Sequence, residues 1–182
     1  MHESQDVAWL DVLPLAEARR ELSACCASQR WTSLVATARP LRTWANLLDT
    51  AMGALATLSW EDILEALSAH PMIGQRADGD GLQAAWSRAE QAGTHSASAE
   101  VAARLRALNL EYQERFGHVF LICASGLPAE VMLRALKHRL RNTHAAEQRA
   151  TRAELAAITR LRLERLSQSA RVTKAGAEAR AS

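Results

Sequence analysis

The sequence predicts an all-α fold, on three observations. Alanine and leucine dominate while Phe, Trp and Tyr make up only 4% of the 182 residues, a balance that favours helix over sheet. Proline, glycine and Ser/Thr cap residues punctuate the chain at helix-length intervals. Val101, Leu105, Leu108, Tyr112 and Phe116 recur at spacings of four, three, four and four, the apolar stripe of a long helix. With 48% hydrophobic and 23% charged residues, the chain has the composition of a globular protein able to bury a core. The expectation is a compact single-domain bundle of seven to nine helices over residues 1–169, with a disordered tail over 170–182.

The elements follow in order. Pro14 opens a helix running to about Ser28, and a second covers Gln29 to Ala38 before Pro40. Thr43 caps a third, to Leu58. Ser59 caps a short fourth with Asp62 three residues on, as in a capping box; Ile63, Leu64 and Leu67 face inward, and Pro71 stops the helix at His70. The one Gly/Asp-rich loop spans 72–81. A helix from Leu82 to Ala92 ends at Gly93, and the long striped helix runs from Ser98 to Phe116, closed by Gly117. Val119 to Ala124 is continuously apolar, too short for a helix and without a second strand to pair with. Pro128 opens a helix to about Asn142, and the last runs from His144 to Ser169. Beyond Ala170 the chain is rich in Ala, Arg and Lys without apolar periodicity, the pattern of a frayed end.

Composition excludes several function classes. No apolar stretch approaches the roughly 20 residues of a membrane span. Met1 to Asp6 is polar and carries two acids, unlike a secretory signal, and Arg180-Ala181-Ser182 is not the usual peroxisomal address. Cys25, Cys26 and Cys123 are odd in number with two adjacent, a poor disulfide framework that fits a reducing compartment, so a cytoplasmic location is expected. The net charge of +2 hides an asymmetry: twelve Lys/Arg against four acids from Arg134 onward, and ten against sixteen before it. A basic helical binding module without catalysis is therefore the alternative reading. Against it, the basic residues spread over helices as solvated faces, and all five Trp lie in the acidic part, so no nucleic-acid partner is expected. No phosphate loop, nucleophile elbow, C-x-x-C pair or i, i+4 histidine pair occurs, and no metal site is expected. His95 and His118 stand alone and read as structural.

Four constellations can carry chemistry. His70 before Pro71 sits where a helix ends, in the field of the C-terminal dipole, and is held at a loop lip; that suits a proton donor near neutral pH, while the plainer reading is a capping residue. Ser87, Glu90 and Gln91 fall at i, i+3 and i+4 on one helix face. They offer a hydroxyl, a carboxylate and an amide to a small ring bearing N–H and C=O groups, or else form a polar surface face. The extended run Phe120, Leu121, Ile122, Cys123, Ala124 carries peptide groups that need partners, either a heterocyclic ligand or side chains and water. Arg162 interrupts the stripe of Leu155, Ile158 and Leu166, and a buried cation needs a partner: a bound carboxylate or an internal acid.

These signals occur in one order. His70-Pro71-x-Ile73-Gly74, Trp86-Ser87-x-x-Glu90-Gln91-Ala92-Gly93, then Leu108-Asn109-x-x-Tyr112-x-x-Arg115-Phe116-Gly117-x-Val119-Phe120-Leu121-Ile122-Cys123-Ala124-Ser125-Gly126 resemble the 2-oxo-4-hydroxy-4-carboxy-5-ureidoimidazoline (OHCU) decarboxylases of urate degradation. Arg139-Leu140-x-Asn142 and Glu154-Leu155-x-x-Ile158-x-x-Leu161-Arg162-Leu163 complete a likeness covering about Leu10 to Leu166. The resemblance implies an all-α homodimer without metal or organic cofactor that makes (S)-allantoin from a ureidoimidazoline. It implies that His70 and Glu90 are catalytic. Pro71, Ser87, Gln91 and Arg162, with the main chain of Phe120, Leu121, Ile122, Cys123 and Ala124, would bind substrate. Two positions depart from the family pattern: Met72, where bacterial members are often basic, and His118, where an aromatic is usual.

Overall fold

The computed structural model describes residues 7–75, 81–94 and 97–181, with side chains described as far as Val172. Its elements are helices α1 (Ala8–Asp11), α2 (Leu15–Ser23), α3 (Gln29–Thr37), α4 (Trp44–Ala56), α5 (Trp60–Ser68), α6 (Leu82–Glu90), α7 (Ala99–Phe116), α8 (Ala129–Arg139) and α9 (His144–Ala181), with a 3-10 turn at Ala92–Thr94. The all-α expectation holds among the described residues. The centre of the Gly/Asp-rich loop and His95 lie outside them.

The caps read from the sequence are in place. Thr43 and Ser98 each accept the backbone N–H three residues on, from Asn46 and Val101, at 3.2 Å. Ser59 and Asp62 form a reciprocal box, each side chain taking the other's N–H at 2.9 and 3.1 Å. Two helix ends differ from expectation. α2 stops at Ser23, because Ser28 leaves helical geometry to cap α3, its Oγ accepting from Trp31 N at 3.2 Å. α9 continues as helix to Ala181, where a disordered tail is expected from Ala170. Alanine, arginine, lysine and glutamate are strong helix formers, so the backbone stays helical past the end of the buried stripe at Leu166.

The chain divides into two units, residues 1–62 with 159–182 and residues 63–158; both boundaries fall inside helices, α5 and α9, and not in linkers. In the first unit, α3 packs on α2 and α4. Trp31 is wholly buried there and donates its indole N–H to Ala51 O at 2.9 Å. The second unit holds α6, α7 and α8. Leu105, Leu108 and Tyr112 of α7 share one core with Met132 and Leu136 of α8 and with Phe120, Ile122 and Ala124 of the extended run. Val101 and Phe116, the ends of the predicted stripe, flank that core half-buried.

Gly93 lies in the 3-10 turn instead of ending α6, and its role is steric. A Cβ there would stand 2.0 Å from the carbonyl oxygen of Leu127, backbone that cannot swing aside. Gly93→Ala is therefore expected to destabilise by about 2–3 kcal/mol, the upper range of overpacking. For a chain of this size that lowers Tm by roughly 4–12 °C. Gly53, mid-helix in α4 with nothing within 4 Å of a built Cβ, is the control. Its alanine variant should be neutral or stabilised by up to about 1 kcal/mol. Equal melting of the two variants would refute the steric reading.

Candidate active site

α5 ends at Ser68, two residues before His70 and not at it. The approach to Pro71 is bent rather than helical, and His70 N donates to Leu67 O at 2.9 Å. The backbone around the pair is fastened on both sides. Gln83 Nε2 donates to Ala69 O at 3.1 Å; beyond Pro71, Asn109 Nδ2 donates to Ile73 O at 3.2 Å and Gln91 Oε1 accepts from Gly74 N at 2.9 Å. Gly74 sits at φ +85°, a left-handed geometry that glycine adopts without strain. Three side-chain amides thus fix where the imidazole stands.

Ser87 and Glu90 leave α6 on one face, with Gln91 at its C-cap, and all three are buried. They meet His70, Pro71 and Ile73 around a narrow cavity of about 20 Å³, closed by Phe120, Leu121, Ile122, Ala124 and Ile158. The amide that orients Gly74 is also committed: its oxygen holds the loop, while the Gln91 NH2 carries no hydrogen bond to a described residue.

The extended run stays unpaired as a strand, and side chains hold it. Arg139 Nη1 donates to Leu121 O at 2.5 Å, and its guanidinium lies 4.9 Å over the Phe120 ring. Cys123 N donates to Glu154 Oε2 at 2.8 Å. Cys123 does not line the cleft, unlike the other four residues expected there.

Behind the run, Arg139 pairs with Glu147 at 2.5 Å and donates to Thr151 Oγ1 at 3.0 Å. Glu147 also accepts from the Tyr112 hydroxyl and from Asn142 Nδ2 at 2.7 Å. Burial works against the Glu147 carboxylate, but the hydrogen bonds from Arg139, Tyr112 and Asn142 outweigh it and hold its pKa below the usual 4.5. Burial and the bond to Glu147 push the Tyr112 phenol well above its normal range. His118 packs edge-on to Tyr112, its Nδ1 3.0 Å from Val119 O, and burial lowers its pKa below 6.5. It is a core histidine, as its isolation in the sequence indicates.

Arg162 belongs to the first unit. It is 0% exposed, and its Nη1 donates to Ala24 O at 3.3 Å. The anchoring residues Gln83, Asn109, Arg139, Glu147 and Glu154 carry no role in the sequence reading. Polar residues at apolar-stripe positions were the available signal, since Asn109 follows Leu108 and Arg139 lies three residues after Leu136. Among the described residues no group of three or more His, Cys, Asp or Glu forms a metal-binding cluster, and no helix is long and apolar enough to cross a membrane.

The profile of the OHCU decarboxylase family matches residues 11–164. The chain is 31% identical over 150 residues, 80% of its length, to the uric acid degradation bifunctional protein TTL of Arabidopsis thaliana, covering 46% of that protein. It is 40% identical over 101 residues to the 2-oxo-4-hydroxy-4-carboxy-5-ureidoimidazoline decarboxylase of Amia calva, covering 54% of this chain and 58% of the relative. The chain thus spans about half the length of these curated relatives. A crystal structure of OHCU decarboxylase in the presence of (S)-allantoin superposes with a TM-score of 0.72 at 33% identity, over 81% of this chain and 97% of that one. An (S)-allantoin synthase structure shares the fold, with a TM-score of 0.68 at 22% identity over 88% of this chain and 54% of that one.

Proposed function

Since the chain belongs to the OHCU decarboxylase family, we propose that it is a cofactor-independent carboxy-lyase converting 2-oxo-4-hydroxy-4-carboxy-5-ureidoimidazoline to (S)-allantoin in urate breakdown. The observation that carries the proposal is the convergence of His70, Ser87, Glu90, Gln91 and the extended run on one small cleft. Each is a group that the reaction needs.

The substrate carboxylate hangs on a carbon next to the C=N carbon of the ring, so the ring itself accepts the electron pair as CO₂ departs. The protein then has to hold the ring, set the face from which the carboxylate leaves, and deliver one proton to the resulting enamine-like carbon. His70 supplies that proton, held at the cleft wall by its anchored backbone. Glu90 accepts from a ring N–H or the 4-hydroxyl and favours the form that loses CO₂. Ser87, the Gln91 NH2 and the peptide groups of the run read the ring edge, and Pro71 packs beside it. The family resemblance assigns Arg162 to the substrate carboxylate. The family resemblance supports a homodimer, and the cysteine pattern supports a cytoplasmic location.

The test is to generate the substrate in situ from urate and follow (S)-allantoin by circular dichroism. Addition of the protein should accelerate appearance of the optically active product, with no change on chelation by EDTA. Loss of rate on chelation, restored by a divalent metal, would sink the cofactor-free mechanism. A rate no faster than spontaneous decay would sink the assignment itself.

Arg162→Lys separates the two partners open to this buried cation. Lysine keeps the charge but not the planar two-pronged donor. If Arg162 holds the substrate carboxylate, kcat/KM should fall by about tenfold or more. Affinity for allantoin, which lacks that carboxylate, should stay the same. A variant with a lower Tm but unchanged kcat/KM would reduce Arg162 to a structural group bonded to the Ala24 carbonyl.

A further inference from the structure

We propose that Arg139 and Glu154 are positioning residues that set the rotation of the run 120–124, so that one peptide edge belongs to the protein and the other to the substrate ring. The inference rests on the decarboxylase reading of the cleft. In an extended chain, the N–H and C=O of one residue point to one side and those of the next residue to the other, so residues two apart share an edge. Leu121 and Cys123 are two apart, so the Leu121 carbonyl held by Arg139 and the Cys123 N–H held by Glu154 lie on one edge. The N–H and C=O of Ile122 lie on the other, and neither has a partner among the described residues. Phe120, Leu121, Ile122 and Ala124 line the cleft and Cys123 does not.

One residue's N–H and C=O side by side form a donor–acceptor pair. They complement a ring edge with an adjacent N–H and C=O, the chemistry of a cyclic ureide. Left unpaired in a cleft, such groups cost free energy that a ligand of matching pattern recovers. Arg139 is itself fixed by Glu147 and Thr151, and it stacks on Phe120. The carbonyl it holds therefore cannot turn towards the cleft without breaking an ion-pair network. Glu154 is half-buried and holds the run at a second point, two residues on. Two holds on one edge prevent the strand from rolling about its own axis, which one hold would allow.

Glu154→Ala and Glu154→Gln test this, with Arg139→Lys as a second site. Glutamine keeps an oxygen at the same reach and can still accept from Cys123 N; alanine cannot. The Ala variant is expected to raise KM, and to weaken (S)-allantoin binding measured by calorimetry, by about tenfold. Its kcat should stay within about threefold, and the Cys123 amide should lose protection from hydrogen exchange. The Gln variant should return KM to within about threefold of the parent. Arg139→Lys keeps a charge for Glu147 but not the fork that also reaches Leu121 O and Thr151, and its KM should rise per folded molecule. If Glu154→Ala lost Cys123 protection yet kept its KM and affinity, or if Gln behaved like Ala, the inference would fall while the decarboxylase reading stood. If the unaltered protein neither turned over the substrate nor bound (S)-allantoin, both would fall.

Discussion

His70→Ala is expected to lower turnover at least about a hundredfold, the scale of lost general acid–base assistance. The fold should survive. The imidazole stands beyond the end of α5, and the backbone around it is held by Gln83, Asn109 and Gln91, none of which bonds through the His70 side chain. His70→Asn is the companion variant, of similar size and still able to form hydrogen bonds but unable to carry a proton at neutral pH. If both lose turnover while Tm stays within a few degrees, His70 acts in the chemistry. Near-normal turnover in either, on initial rates corrected for spontaneous decay, would reduce His70 to a residue that shapes the loop.

Glu147→Ala should produce the largest loss of stability. It leaves the Arg139 guanidinium buried without its counter-charge, and removing one member of a buried pair costs about 3–5 kcal/mol. For a chain of this length the fall in Tm is roughly 6–20 °C. Glu147→Gln keeps the shape and a hydrogen-bond acceptor for Tyr112 but not the charge, so it should recover only part of the loss. The pH dependence follows from the depressed pKa of Glu147. Its stabilisation is fully present above about pH 4.5 and is lost as the pH falls through the lower folded-state value. His118 adds an earlier, shallower decline. Burial holds it neutral in the folded protein, so unfolding takes up a proton once the pH drops below about 6.5. Thermal melts from pH 7 to pH 3 should show both phases in the parent and only the His118 phase in Glu147→Gln. A Glu147→Gln variant with the parent's Tm and full acid profile would overturn the role given to this network.

The helices were legible because their signals are local. A cap such as Ser98 and a stripe such as Leu105, Leu108 and Tyr112 act within a few residues of one another, and both landed where periodicity placed them. Helix ends that depend on the next element were not: Ser28 reads equally as the last residue of one helix or the cap of the next. His70, Ser87, Glu90 and Gln91 were legible as chemistry-bearing groups, and the structure brings them to one cleft. What supports them was not. Asn109 reaches 36 residues back to Ile73, and Glu154 reaches 31 residues back to Cys123, distances at which no spacing rule operates. Cys123 illustrates the same limit. Its neighbours in the run line the cleft and it does not, its N–H held by Glu154, a partner far along the chain.

The run 120–124 also bears on how such a protein tolerates change. Peptide groups are common to every residue but proline, so what Ile122 presents to a ring is untouched when its side chain is exchanged for another of like volume. Alanine scanning, which deletes side chains one at a time, is blind to that contribution at the position that makes it. It registers instead at Glu154 and Arg139, which meet the run from behind. Drift in the apolar sequence of the wall can therefore leave recognition intact as long as the path of the chain is kept.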